Sequence, residues 1–245
     1  MEQRAPLTTY LKLCTEYYDL AEHPHDAQAV QFYVDYARAS HGPILEPMCG
    51  TGRFLIPILQ AGLPIEGFDA SPYMLQALKQ KSPHAPVWQD FVQDFSSDKL
   101  YDLILVPYGS WGLMANLEDS KKSLKIMYDH LVPDGKLVVD IETVASTPIL
   151  QEWHRDVMTR ADGSQIALDT YCTYDEKTQV FKTLCRYESG EITETEDFQM
   201  YLYQFDEFEK YLKAAGFSEI KKYQDYTKTP ATDRLAPLII YECLK

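Results

Sequence analysis

Residues 44–53 read Ile-Leu-Glu-Pro-Met-Cys-Gly-Thr-Gly-Arg, and this segment constrains the fold more than any other. An apolar run ends in an acid, Glu46, and enters a tight Cys49-Gly50-Thr51-Gly52 turn. The turn opens onto Arg53-Phe54-Leu55-Ile56, which reads as a helix. Strand, glycine-rich loop and helix start, in that order, bring backbone close to a ligand at the end of a parallel strand. Gly50 and Gly52 let the chain turn and approach where a Cβ would collide. By itself such a loop admits any nucleotide-binding fold.

The downstream residues narrow the choice. Phe54, Leu55, Ile58 and Leu59 fall at helical spacing, and Gly62 sits where that helix would stop. Residues 64–69 read as a second short strand ending in Asp69, 23 residues after Glu46. That is near the interval of roughly 20 residues at which an acid at the second strand's tip binds ribose hydroxyls. Ser71-Pro72 is an N-cap followed by proline at the first helical position, with Met74, Leu75 and Leu78 as the buried stripe. Residues 87–91 form a third run carrying Asp90 and Phe91. Residues 101–107 form a fourth, near-continuous apolar strand of the kind buried in a parallel sheet.

Five blocks, at 46–53, 66–75, 89–91, 101–109 and 130–142, together resemble the class I S-adenosylmethionine-dependent methyltransferases, in the family's order. The overall layout is similar to small-molecule N-methyltransferases of the amino-sugar or glycine type. The resemblance implies an α/β, Rossmann-like fold with a seven-stranded, mostly parallel sheet and helices on both faces. An antiparallel β meander would be inserted after the fifth strand. Met48 stands where the family usually has the first glycine of its loop, so the backbone there is expected to sit farther from the ligand or to be turned differently.

Composition sets the limits. At 245 residues the chain suits one domain: N-terminal helices over 1–40, a cofactor core over 43–149, an insertion over 150–204, and a final helix and two strands over 205–245. A net charge of −14 argues against nucleic acid, whose phosphates call for clustered Lys and Arg. No apolar run reaches the length of a membrane span. Five cysteines without a C-x-x-C pair suit a reducing cytoplasm and no metal. Cys49 reads as a small residue packed at the turn, and His23 and His25 as solvated loop histidines. The oligomeric expectation is monomer or homodimer.

Before the first strand, Leu7, Leu11, Cys14 and Tyr18 are spaced for one helical face, and Val30, Tyr33 or Val34, and Ala37 for a second. Between 154 and 204, β-rich stretches alternate with turn signals at 161–164, 175–177 and 189–190. Asp206 and Glu209 then read as a capping box, and Gly216 as a helix stop.

The resemblance also implies site residues. Asp69 would hold the ribose hydroxyls, and as an acid at a strand tip it would add little to the core. Asp90 and the Phe91 backbone would bind adenine. The loop with Met48, Gly50, Gly52 and Arg53 would lie under the methionine end, with Glu46 orienting it from below. Ala70, Met74, Val106 and Pro107 complete the cofactor set. Tyr18 would cover the cofactor and face the acceptor, or else pack in the core. Ligands lie beyond the carboxyl ends of parallel strands, so Tyr108, Ser110 and Trp111 are acceptor candidates, though Trp111 alternatively packs under the next helix. The meander offers Trp153, Tyr201 and Tyr203 as cover and His154 as a general base, or as an exposed histidine. The function implied is methyl transfer from S-adenosylmethionine to a small molecule, at nitrogen before oxygen or carbon. Two alternatives stand: a cofactor-sensing protein without turnover, and an NAD-dependent oxidoreductase, which would need glycine where Leu55 stands.

Overall fold

The computed structural model describes residues 7–21, 26–146 and 151–245; His23 and His25 lie outside the described residues. Helices α1 (Lys12–Leu20) and α2 (Asp26–Ala39) precede β1 (Ile44–Pro47). There follow α3 (Leu55–Gln60), β2 (Ile65–Asp69), α4 (Pro72–Lys81), β3 (Val87–Gln89), β4 (Tyr101–Val106), α5 (Leu117–Asp129) and β5 (Leu131–Glu142). Strands β6 (His154–Thr159), β7 (Gln165–Asp175), β8 (Val180–Ser189) and β9 (Ile192–Tyr201) come next. The chain closes with α6 (Glu207–Ala215), β10 (Glu219–Tyr223) and β11 (Leu238–Leu244).

The seven-stranded sheet has the order β10-β11-β5-β4-β1-β2-β3, with β11 alone running against its neighbours. Strand order reverses between β1 and β4, which opens a crevice at their carboxyl ends. The apolar run of β4 is buried on both faces. Ile104 and Val106 pack with α5 and α6, while Leu103 and Leu105 face the other way, with α2 and α3. The second sheet, β6-β7-β8-β9, is a purely antiparallel meander. Its Ile166, Cys185 and Tyr187 pack on Leu13 and Cys14 of α1.

Two local expectations are corrected. On α1 the buried residues are Leu13, Cys14 and Thr15, so the helix is rotated and Tyr18 is only half-buried. The capping box at α6 does not form. Asp206 is held by Lys222 and Arg234, and Glu209 by Lys213 and Lys222. Glu207 instead folds back on the preceding loop, accepting from the Gln204 backbone N–H at 3.1 Å. At α4 and α5 side chains do cap: Ser71 Oγ accepts from Met74 N at 3.3 Å, and Asn116 Oδ1 from Glu118 N at 2.9 Å.

Candidate cofactor and acceptor pocket

At the crevice lies a cavity of about 560 Å³, walled by the residues that follow β1 to β4 and by the end of β5. The loop after β1 reaches it through Met48 and Gly50. Met48 has φ of 58°, the left-handed conformation that a glycine would adopt without strain, so it holds a glycine's backbone at a cost of about 1–3 kcal/mol, against the expectation of a different turn. A Cβ on Gly50 would meet nothing within 4 Å, and the space beside it is the cavity. Gly52 serves packing. A Cβ there would come within 2.9 Å of Ile56 and Leu78, and Gly52 does not line the cavity.

Asp69 fastens this loop to the next. Its Oδ2 accepts from Gly50 N at 2.9 Å and its Oδ1 from Ser71 N at 2.8 Å. Burial raises its carboxyl above the usual range, while the Ser71, Gly50 and Ala70 N–H groups hold it down. Asp69→Ala would therefore orphan two backbone donors, so the expectation that this acid adds little to the fold is corrected. Beneath it, Glu46 is 1% exposed and does not line the cavity; among the described residues its Oε2 has no partner. Burial first, and the Asp69 charge second, push its carboxyl well up. Asp90 and Phe91 both line the wall, and Asp90 Oδ1 accepts from Phe91 N at 2.8 Å.

The loop after β4 carries Tyr108 in the left-handed region, with φ of 65°. Buried Asp140 of β5 holds it there, accepting from Gly109 N, from Tyr33 Oη at 2.9 Å and from Tyr226 Oη at 3.0 Å. Tyr108, Ser110 and Tyr18 line the cavity. The Arg53 guanidinium lies between two of them, 4.5 Å from the Tyr18 ring and 4.6 Å from Tyr108, as a cation–π stack.

A sequence model of the methyltransferase domain matches residues 23–221. The chain belongs to this methyltransferase family. Among relatives, a dTDP-3-amino-3,6-dideoxy-alpha-D-glucopyranose N,N-dimethyltransferase of Streptomyces fradiae is 25% identical over 144 residues. The match covers 55% of each chain, so this chain spans about half of that relative. Among solved structures, the CcbJ methyltransferase from Streptomyces caelestis superposes with a TM-score of 0.77 at 18% identity, over 96% of this chain and 97% of the other. CalS10 with bound S-adenosylmethionine, an amino pentose methyltransferase from Micromonospora echinaspora, gives 0.70 at 18% identity, over 98% and 99%. The fold is thus that of S-adenosylmethionine-dependent methyltransferases, and the oxidoreductase reading falls.

In this methyltransferase the cavity fits the cofactor on its own residues. A carboxylate at the second strand tip stands beside a glycine with open space, and a second acid follows β3. Ala70 and Met74 line the same wall. Several expected residues sit elsewhere. Val106 is fully buried in the core, and the Pro107 carbonyl accepts from Ser110 Oγ at 2.9 Å, so neither lines the cavity. Arg53 is not among the lining residues but stacks on two that are, Tyr18 and Tyr108.

On the acceptor side the corrections are larger. Trp111 is fully buried, donating from Nε1 to Ser120 Oγ at 2.9 Å and packing edge-on to Phe208. Tyr201 and Tyr203 are core residues too. Tyr201 Oη donates to Glu207 at 2.9 Å, and Tyr203 Oη lies 2.8 Å from Ser120 Oγ. The predicted aromatic cover thus reduces to Tyr18. His154 is exposed, 3.7 Å from Asp156, and Trp153 is 58% exposed against Tyr171. Both stand at β6, the edge of the meander opposite β9, and neither lines the cavity. The meander does border the cavity, through Asp197, Phe198, Gln199 and Met200 of β9. Glu142, at the tip of β5, and Asn116 and Asp119, at the start of α5, were also missed. Glu142 carried a signal: like Glu46, Asp69 and Asp90, it is an acid closing an apolar strand.

Proposed function

We propose that this methyltransferase moves a methyl group from S-adenosylmethionine to the nitrogen of a small amine, and that residues 1–245 act as one domain with the meander as acceptor cover. One observation carries the acceptor class: the described cavity lining holds Asp69, Asp90, Asp119, Glu142 and Asp197, and no Lys, Arg or His. Carboxylates at close quarters attract an ammonium ion and repel phosphate. The N,N-dimethyltransferase similar to this chain methylates nitrogen by name, and the other similar enzyme is an amino pentose methyltransferase, which supports the same atom here. The cofactor supplies a sulfonium-activated methyl group. The protein's part is to orient the reactants in line and exclude water. Asp69 would hold the ribose hydroxyls and Asp90 the adenine amino group. Asp119, Glu142 and Asp197 are the lining carboxylates left to attract the acceptor's ammonium group. Five buried free thiols suit a reducing cytoplasm.

The test is turnover with a panel of amines and hydroxyl compounds, with and without a phosphate or diphosphate group. Phosphate-free amines should give N-methyl products, with kcat/KM at least about tenfold above phosphorylated counterparts. O-methyl products alone would overturn the nitrogen reading. S-adenosylhomocysteine should raise Tm where NAD does not. Binding without turnover of any compound would make the chain a cofactor sensor instead.

A further inference from the structure

The first turn of a helix leaves backbone N–H groups without intrahelical partners, and a side chain at the N-cap usually takes one of them. At α1 the N-cap is Leu11, which has nothing to offer. The Leu13 donor of that turn, and the Tyr10 and Leu11 N–H groups just ahead of it, are satisfied from β9 instead. Glu196 accepts from Tyr10 N through Oε2 at 2.7 Å and from Leu11 N through Oε1 at 2.9 Å, and Glu194 accepts from Leu13 N at 2.7 Å. Glu196 is 1% exposed, so its charge is matched by these donors rather than by water. Tyr10 is held at φ of 55°, with its ring edge-on to Phe198 at 5.0 Å. Tyr10 and its neighbour Thr9 are part of the cavity wall.

The contact does not stop at the helix. The Tyr10 carbonyl accepts from Ser71 Oγ at 2.7 Å, and Ser71 N donates to Asp69 Oδ1 at 2.8 Å. Three hydrogen bonds therefore run from β9 to the acid placed at the cofactor ribose. The residues after Glu196 on the same strand, Asp197 to Met200, wall the acceptor end. We propose that Glu196 is a positioning residue that clamps the N-terminal segment across the cavity and couples the acceptor cover to the cofactor acid. The proposal rests on the cavity holding S-adenosylmethionine. Ordering the segment by either ligand then favours the other.

In Glu196→Gln the single amide oxygen can serve only one of the two donors, and the amide N–H₂ opposes the other. S-adenosylhomocysteine should then bind at least about fivefold more weakly by calorimetry below Tm, with a faster off-rate. Glu194→Ala is the control. It removes a cap from the same helix, but among the described residues Leu13 makes no hydrogen bond to Ser71, so affinity should change less than about twofold. In the wild-type protein, exchange of the Tyr10 and Leu11 amides should slow when S-adenosylhomocysteine binds, a readout that needs no variant. Unchanged exchange, wild-type affinity in Glu196→Gln, or equal losses in both variants would reduce Glu196 to a helix cap and overturn the clamp. A wild-type protein that binds no S-adenosylhomocysteine would overturn the cofactor reading and the clamp with it.

Discussion

Gly50 and Gly52 stand two residues apart, both with positive φ, and the fold needs them for different reasons. Alanine at Gly50 would project into open cavity, so its cost to folding is that of the left-handed backbone alone, about 1–2 kcal/mol. Alanine at Gly52 adds a collision with Ile56 and Leu78 at 2.9 Å, worth about 1–3 kcal/mol more. Gly52→Ala should therefore lower Tm by roughly 5 °C or more while cofactor affinity in the folded fraction is kept. Gly50→Ala should cost less Tm but weaken S-adenosylhomocysteine binding by about tenfold or more, because the methyl group takes ligand space. Thermal melts with and without the ligand separate the two. Equal binding losses would mean that both glycines face the cofactor. The glycine pair was plain in the sequence, and the division of labour was not, because it depends on Leu78, which α4 brings up from 26 residues further along the chain.

Among the elements, the parallel strands were legible because each is a short apolar run closed by an acid, and burial on both faces leaves little choice of register. The meander was legible as strands but not as a face. The sequence offers Tyr201 and Tyr203 as the cover, whereas Glu194, Glu196 and Phe198 are the residues that β9 turns to the N-terminal segment. Tyrosine patterning says which residues can be half-buried, not which neighbour will bury them. Asp140 shows the converse, an acid inside a central strand that reads as a misfit until its donors arrive from α2, the β4 loop and the segment after β10. Asp140→Asn removes the charge and turns an N–H₂ group towards donors, which should cost about 2–3 kcal/mol and roughly 4–10 °C in Tm. Because Asp140 also fixes Tyr108 and Gly109, kcat should fall more than cofactor affinity. A Tm loss with unaltered kcat would show that the β4 loop holds its shape without this acid.

For the whole molecule, the topology followed from the order of strands and helices, while the cavity did not, since its walls come from stretches as distant as Thr9 and Met200. Charge acts at the same scale. Burial raises the carboxyls of Glu46, Asp69, Asp140 and Glu196 above their usual range. An acid whose folded pKa exceeds its unfolded one adds stability that is fully present below the unfolded pKa and is lost as pH rises through the folded one. Acids shifted the other way, such as Glu207 and Glu242, lose their contribution only as pH falls through and below the usual range of about 4. In the window above the usual carboxylate range of about 4, the first group governs, and the shrinking of a net charge of −14 on acidification acts in the same direction. The Tm of the ligand-free protein should therefore rise on mild acidification through this window and fall below it. The increment given by S-adenosylhomocysteine should move oppositely, because an ionised Asp69 is the better acceptor for ribose hydroxyls. Scanning calorimetry of free and ligand-loaded protein across the window checks both slopes. A ligand increment that grew towards acid would remove Asp69 from the ribose, and a free-protein Tm that fell with acidification while still above the usual carboxylate range would mean the buried acids stay ionised throughout.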